Sequence, residues 1–177
     1  MTNETLEVIK ARRSVRKYTP QQISDEQLNA VIEAGLYAPT GRGTQDIVIV
    51  AVQDPEDIKT VSKLNIEAIG LTEGNPYKDS PTIVLIFAVD PYTQEMAVLD
   101  GGAACENMMI AAKSLGLDTC WVHRTYPAFE SEAGRNLLKK WGVPEHARGI
   151  ASFSLGYSDG PAPKPVKRKE GRVFIIK

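Results

Sequence analysis

Apolar positions along the chain alternate between helical and strand-like periods. Leu6 and Ile9 share one face of a first short helix that Asn3 can cap. Ser24 with Gln27 three residues on is a capping box, and Leu28, Val31, Ile32 and Leu36 form the stripe of a second helix, which Pro39 ends. Ala38 to Gln45 is a polar loop with two glycines, followed by Ile47–Val52, a continuous β-branched run that predicts a buried strand. Asp54-Pro55 reads as N-cap and first residue of a helix carrying Ile58, Val61 and Leu64. Residues 66–80 are weakly patterned and read as a mobile segment, either a lid or a surface loop. Thr82–Val89 predicts a second buried strand.

Tyr92 to Leu115 is the longest helical stretch, spanning ~36 Å at ~1.5 Å per residue. At its centre, Gly101-Gly102-Ala103-Ala104-Cys105 is small on all sides. Each glycine costs ~1 kcal/mol relative to alanine, which close packing against another helix or another subunit would explain. Few polar groups stand between Asn107 and Ala112, so this helix is central or lies in an interface, with Met108 and Met109 as core. Gly116 ends it, Leu117–Val122 enters a third strand, Ser131–Trp141 forms a helix closed by Gly142 and Pro144, and Gly149–Leu155 is a fourth strand. Gly156–Pro165 contains three prolines and leads to Lys164, Lys167, Arg168 and Lys169, then Val173-Phe174-Ile175-Ile176. An apolar strand after an extended arm suits addition to the edge of a sheet, a partner's sheet included.

Charge sharpens this picture. The net charge of −1 conceals two basic ends, net +3 over residues 1–17 and +5 over residues 164–177, around a body with net −9. An acidic body argues against a nucleic-acid surface and fits ends that converge on one small anion. Lys10 to Tyr18 places Arg12, Arg13 and Arg16 about the hydroxyl of Ser14, a set of donors matched to phosphate oxygens; the alternative is a cation-rich helix end. Gly41-x-Gly43 is not a dinucleotide fingerprint, because the third glycine position is Asp46 and the loop leads into a strand. It either brings backbone N–H groups and Gln45 to a ligand or simply connects helix to strand. Cys105 and Cys120 read as reduced thiols, with no metal spacing. Cys120 and His123 point to opposite faces of a strand, which removes a thiol–imidazole pair and leaves His123 and Arg124 as rim residues. No apolar run reaches membrane-spanning length, and the expectation is a soluble cytoplasmic protein without a membrane partner.

Taken together, Arg12-Arg13-Ser14-Val15-Arg16, Ala38-Pro39-Thr40-Gly41-x-x-x-Gln45, Asp100-Gly101 with Asn107-Met108-Met109, Gly116-Leu117-Asp118-Thr119-Cys120-Trp121, Gly156-Tyr157 and Lys164-Pro165 before Arg168-Lys169-Glu170 resemble the FMN-dependent nitroreductase family in its short form. The resemblance runs nearly end to end. It implies a single α+β domain, residues 1–177, with a mixed central sheet of four to five strands flanked by helices. It further implies a homodimer with FMN at the subunit interface and a C-terminal arm, residues 156–177, exchanged between subunits. Arg12, Ser14, Arg16 and Arg168 would hold the phosphate and ribityl chain, with Arg13 and Lys169 nearby. Pro39, Thr40, Gly41 and Gln45 would come from the partner, and the backbone of Cys120, Trp121 and Val122 would lie against the isoalloxazine. The implied activity is reduction of nitroaromatics, quinones or similar acceptors by NAD(P)H, with no protein nucleophile and no metal. The alternatives are a flavin-binding sensor without rapid turnover and a specialised flavin enzyme such as a reductive dehalogenase. The chain departs from the family's common pattern at Asp46-Ile47 (often Pro-Trp), Asp118 (often Gly) and His123-Arg124 (often Gly first). Glu73 and Asn75 both lie near the place of the family's mid-chain amide contact.

Overall fold

Helices begin where the sequence supplies a side-chain acceptor. In the computed structural model, which describes all of Met1–Lys177, Asn3 Oδ1 accepts from Leu6 N–H at 2.9 Å and opens α1 (Glu4–Ala11). The capping box forms as expected: Ser24 Oγ accepts from Gln27 N–H at 3.2 Å and Gln27 Oε1 from Ser24 N–H at 3.1 Å, at the start of α2 (Asp25–Leu36). Asp54, Thr93 and Ser131 cap α3 (Pro55–Glu67), α4 (Gln94–Ser114) and α6 (Glu132–Trp141) in the same way. Each such cap contributes ~1 kcal/mol. Gly142, at φ 71°, takes the left-handed conformation that closes α6.

The four predicted strands all form: β1 (Ile47–Val52), β2 (Thr82–Ala88), β3 (Asp118–Val122) and β4 (Arg148–Gly156). They pair in the order β1-β2-β4-β3, antiparallel throughout. The parallel component of the expected mixed sheet is confined to one bridge, Ser14 with Thr119, along the outer edge of β3. β2 is buried on both faces, so alternate residues feed two cores. Val84, Ile86 and Ala88 pack with Ala104, Cys105, Met108 and Met109 of α4 on one side. Ile83, Leu85 and Phe87 pack with Val61 of α3, Phe129 and Leu138 on the other. Helices α2 and α4 thus cover one face, and α3, α6 and a short helix α5 (Thr125–Phe129) cover the other.

Three features differ from the sequence reading. Helix α5 was not expected: five residues without a side-chain cap leave no period to detect, and its place is set by packing. A Cβ on Gly149 of β4 would lie 2.6 Å from the Thr125 carbonyl carbon, so glycine there admits the helix. The mobile segment is anchored at its far end. Tyr77 is buried, and Asn75 Oδ1 accepts from Lys78 N–H at 2.6 Å, forming a turn in which Lys78 and Asp79 take positive φ. The terminal strand does not form within the chain. Residues 161–177 are exposed and lack regular structure, because an apolar tetrapeptide has no backbone partners until it joins a sheet edge.

Candidate functional site

The segment after α1 runs beside β3, not away from it. Val15 N–H donates to Thr119 O at 3.0 Å and Thr19 N–H to Tyr157 O at 2.9 Å, which fixes the arginine-bearing stretch against the sheet. Val15 and Tyr18 are buried, and the residues between and before them face outward. Arg12, Arg13, Ser14 and Arg16 then line a cavity of about 290 Å³ together with Pro163, Lys164, Pro165, Val166 and Arg168. The two basic ends of the chain do meet. The only carboxylate paired with any of these cations is Glu106, 3.7 Å from Arg12 Nε. Arg13 is oriented by the Lys10 and Arg12 carbonyls, each at 2.6 Å from Nη1. So many unneutralised donors in one concavity favour a multiply charged anion.

Arg16 also lines a second cavity of about 350 Å³, formed with Pro76, Lys78, Cys120, Trp121, Val122, His123 and Arg124. The wall supplied by β3 is braced from behind by two serines of β4. Ser154 Oγ lies 2.7 Å from Tyr18 Oη and donates to Cys120 O at 3.4 Å. Ser152 Oγ donates to Val122 O at 3.2 Å and lies 2.9 Å from Tyr77 Oη, which in turn accepts from Asn65 Nδ2 at 3.3 Å. Burial pushes both tyrosine hydroxyls well above their ordinary range, so they remain protonated and these hydrogen-bonded chains persist into alkaline pH. Cys120 is a buried free thiol, and no hydrogen bond joins it to His123, which lies beyond the end of β3.

The glycine loop lies elsewhere in the chain. Gly41 N–H donates to Asp100 Oδ2 of α4 at 2.9 Å, and a Cβ at Gly41 would stand 2.1 Å from Met96 Cε, so the loop sits tight on α4. Gln45, at φ 52°, donates its N–H to Thr40 Oγ1 at 3.1 Å. Thr40, Gln45 and Asp100 line a third, mostly apolar cavity of about 160 Å³ with Ile47, Ile49 and Ala104, while Pro39 is exposed beside it. Within one chain the structure therefore does not bring Pro39, Thr40, Gly41 and Gln45 to the arginine cavity. Lys169 lines a shallow surface cavity with Lys167, Arg168 and Glu170. Asn75 is engaged in its own turn, and Glu73 faces a separate cleft beside Lys59 and Lys63.

Sequence reasoning missed Lys78, the brace formed by Tyr77 and Ser152, and the contact of Asp100 with the Gly41 loop, though it singled out Asp100-Gly101 as a motif. Asp100 carried a signal, as an acid directly before two glycines inside a helix. Lys78 carried none, because a turn and not a period places it.

A sequence model of the Nitroreductase family matches residues 9–78 and 75–157. A relative from Archaeoglobus fulgidus is 34% identical over 159 residues, covering 87% of this chain and 85% of its own. The FMN reductase [NAD(P)H] of Bacillus subtilis is 29% identical, covering 92% of this chain and 70% of its own. The crystal structure of a nitroreductase with bound FMN from Bacteroides fragilis superposes with a TM-score of 0.87 at 33% identity, covering 99% of this chain and all of that one.

Proposed function

Because the chain belongs to the nitroreductase family, we infer that it is an FMN-dependent oxidoreductase that takes electrons from NAD(P)H and delivers them to small electron-poor acceptors such as nitroaromatics or quinones. One observation carries this reading: the arginine cavity and the β3 cavity meet at Arg16. FMN is a phosphate joined through a polyol chain to a flat ring, and it asks for clustered cations at one end and a rigid wall at the other. The residues present fit that demand. Arg12, Ser14, Arg16 and Arg168 would hold the phosphate end, with Arg13 beside them and Lys169 at the periphery. The backbone of Cys120, Trp121 and Val122 would flank the ring. FMN supplies the hydride chemistry when bound. The chain's part is to orient it, and Lys78 provides positive charge in the ring-side cavity where reduction builds negative charge.

The same reading calls for a second copy. Leu99 is 73% exposed on the outer face of α4, where a Cβ added at Gly102 would meet nothing within the chain. Leu36 and Tyr37 at the end of α2 are exposed, as are Val173, Phe174, Ile175 and Ile176 of the tail. Burying each such side chain in an interface is worth ~1.5–3 kcal/mol. A homodimer would cover these faces and bring the Pro39–Gly41 loop and Gln45 of the partner to the flavin.

Replacing Arg16 by alanine tests the assignment, since that residue serves both cavities. A lost charge-assisted hydrogen bond costs ~1.5–3 kcal/mol, so FMN affinity should fall ~10- to 150-fold. Stoichiometric FMN after gel filtration of the variant would contradict the phosphate site.

A further inference from the structure

Basic side chains in the ring-side cavity extend beyond Arg16 and Lys78, the two already given to the flavin. Four of its lining residues, Arg16, Lys78, His123 and Arg124, carry cationic or imidazole side chains, and none of its lining residues is acidic. The protein's seven ion pairs all lie elsewhere, so no carboxylate stands within 4.0 Å of any of the four. Arg16 is shared with the arginine cavity and Lys78 serves the flavin ring, which leaves His123 and Arg124 without a flavin role.

Arg124 is the exceptional member. Every other arginine from Arg12 to the end of β4 has a partner for its guanidinium. Arg12 pairs with Glu106, Arg13 and Arg16 donate to backbone carbonyls, and Arg135 reaches Glu130. Arg42 and Arg148 stack on Tyr92 and Tyr126, each with the guanidinium carbon 4.2 Å from the ring centroid. Arg124 is half-buried, yet its side chain has no ion pair, hydrogen bond or aromatic stack. It follows His123 directly at the end of the β3 wall, and its backbone is held by the α5 hydrogen bond from Ala128 N–H to Arg124 O at 3.2 Å. A planar fork of donors, fixed at its base and open at its tip, matches a carboxylate two oxygens at a time. Gathering it with Lys78 costs like-charge repulsion that an incoming anion offsets, and His123 adds a further ring N–H donor.

We propose that the acceptor reduced at this site carries a carboxylate, received by Arg124 with His123 alongside, so that the preferred substrates are nitroaromatic or quinonoid acids over their neutral counterparts. This rests on the flavin reading above. The 2′-phosphate of NADPH shares the anionic chemistry. It sits on the adenosine ribose, at the far end of that molecule from the hydride-bearing ring, whereas Arg124 lines the cavity walled by Cys120–Val122.

The test uses FMN-loaded protein, with flavin content measured first. Benzoate and the isosteric but neutral benzamide are titrated calorimetrically into wild type, Arg124→Gln and Arg124→Lys, and kcat/KM is compared for 4-nitrobenzoate and 4-nitrobenzamide. Benzoate should bind wild type at least ~10-fold tighter than benzamide. The Gln variant should bring the two within about twofold, and the Lys variant should keep part of the preference. The kcat/KM ratio should move in parallel. Equal binding of both ligands to loaded wild type overturns the proposal while leaving the flavin reading intact. An acid preference that survives Arg124→Gln overturns the assignment of this residue. Loss of NADPH-over-NADH preference in that variant, with the acid preference unmoved, reassigns Arg124 to the nicotinamide donor and overturns it equally. Protein that will not take up FMN removes the flavin reading and this inference with it.

Discussion

Single residues declare their roles through charge and through who neutralises them. Arg12, Arg13, Ser14 and Arg16 were legible because four donors within five positions are a local anomaly that sequence displays directly. Arg168 was legible only with the resemblance, since nothing in a basic tail says which cation turns inward. Lys78 was not, because a left-handed backbone within the Asn75 turn presents it to the cavity. Asp57 shows the same limit on the opposite face. Its carboxylate accepts from Lys140 Nζ at 2.5 Å and Trp141 Nε1 at 2.8 Å, tying α3 to α6. Those hydrogen bonds, Lys140 first, hold its pKa below the ordinary carboxylate range despite the opposing effect of burial. A carboxyl depressed in the folded state adds stability that is fully present above its unfolded value of ~3.9 and is lost as pH falls through the lower folded value. Urea midpoints followed from neutral pH into acid should therefore decline less steeply for Asp57→Asn than for wild type. Equal acid slopes would mean that this contact carries no linkage.

Elements were legible where a cap or a run marks them, and illegible where neighbours make them. The Ser24 box and the Asp54-Pro55 pair located two helices, and the apolar runs located β1 and β2. Strand order was not in the sequence. That β4 lies between β2 and β3 is decided only in the assembled fold. Helix α4 shows both cases in adjacent residues. Gly101 is required by this chain, since a Cβ there would lie 2.6 Å from Ile150 Cγ2. Gly102 is not, and it faces the surface through which the proposed dimer forms. Gly102→Arg should leave the monomer folded, because arginine is the better helix former by most of ~1 kcal/mol. It should also convert a dimer to monomer in light scattering and lower flavin content with it. A variant that stays dimeric would place the interface elsewhere.

At the scale of the whole molecule, the charge layout is the most informative property. An acidic body with basic termini yields two ends that meet beside β3, as the arginine cavity shows. The apolar tail, free of its own sheet, and the glycine loop, held on α4 away from that cavity, are the features that the proposed dimer would complete. No helix is long and apolar enough to cross a membrane. Above all, the fold is inferred to hold FMN and to pass electrons through it from NAD(P)H. The most direct measurement is the visible absorption spectrum of the purified protein, recorded before and after anaerobic addition of NADH and of NADPH. A flavin-dependent oxidoreductase will be yellow, with oxidised-flavin bands that bleach with at least one donor and return when a quinone is added. A colourless protein that ignores added FMN, or a bound flavin that neither donor bleaches, would contradict it.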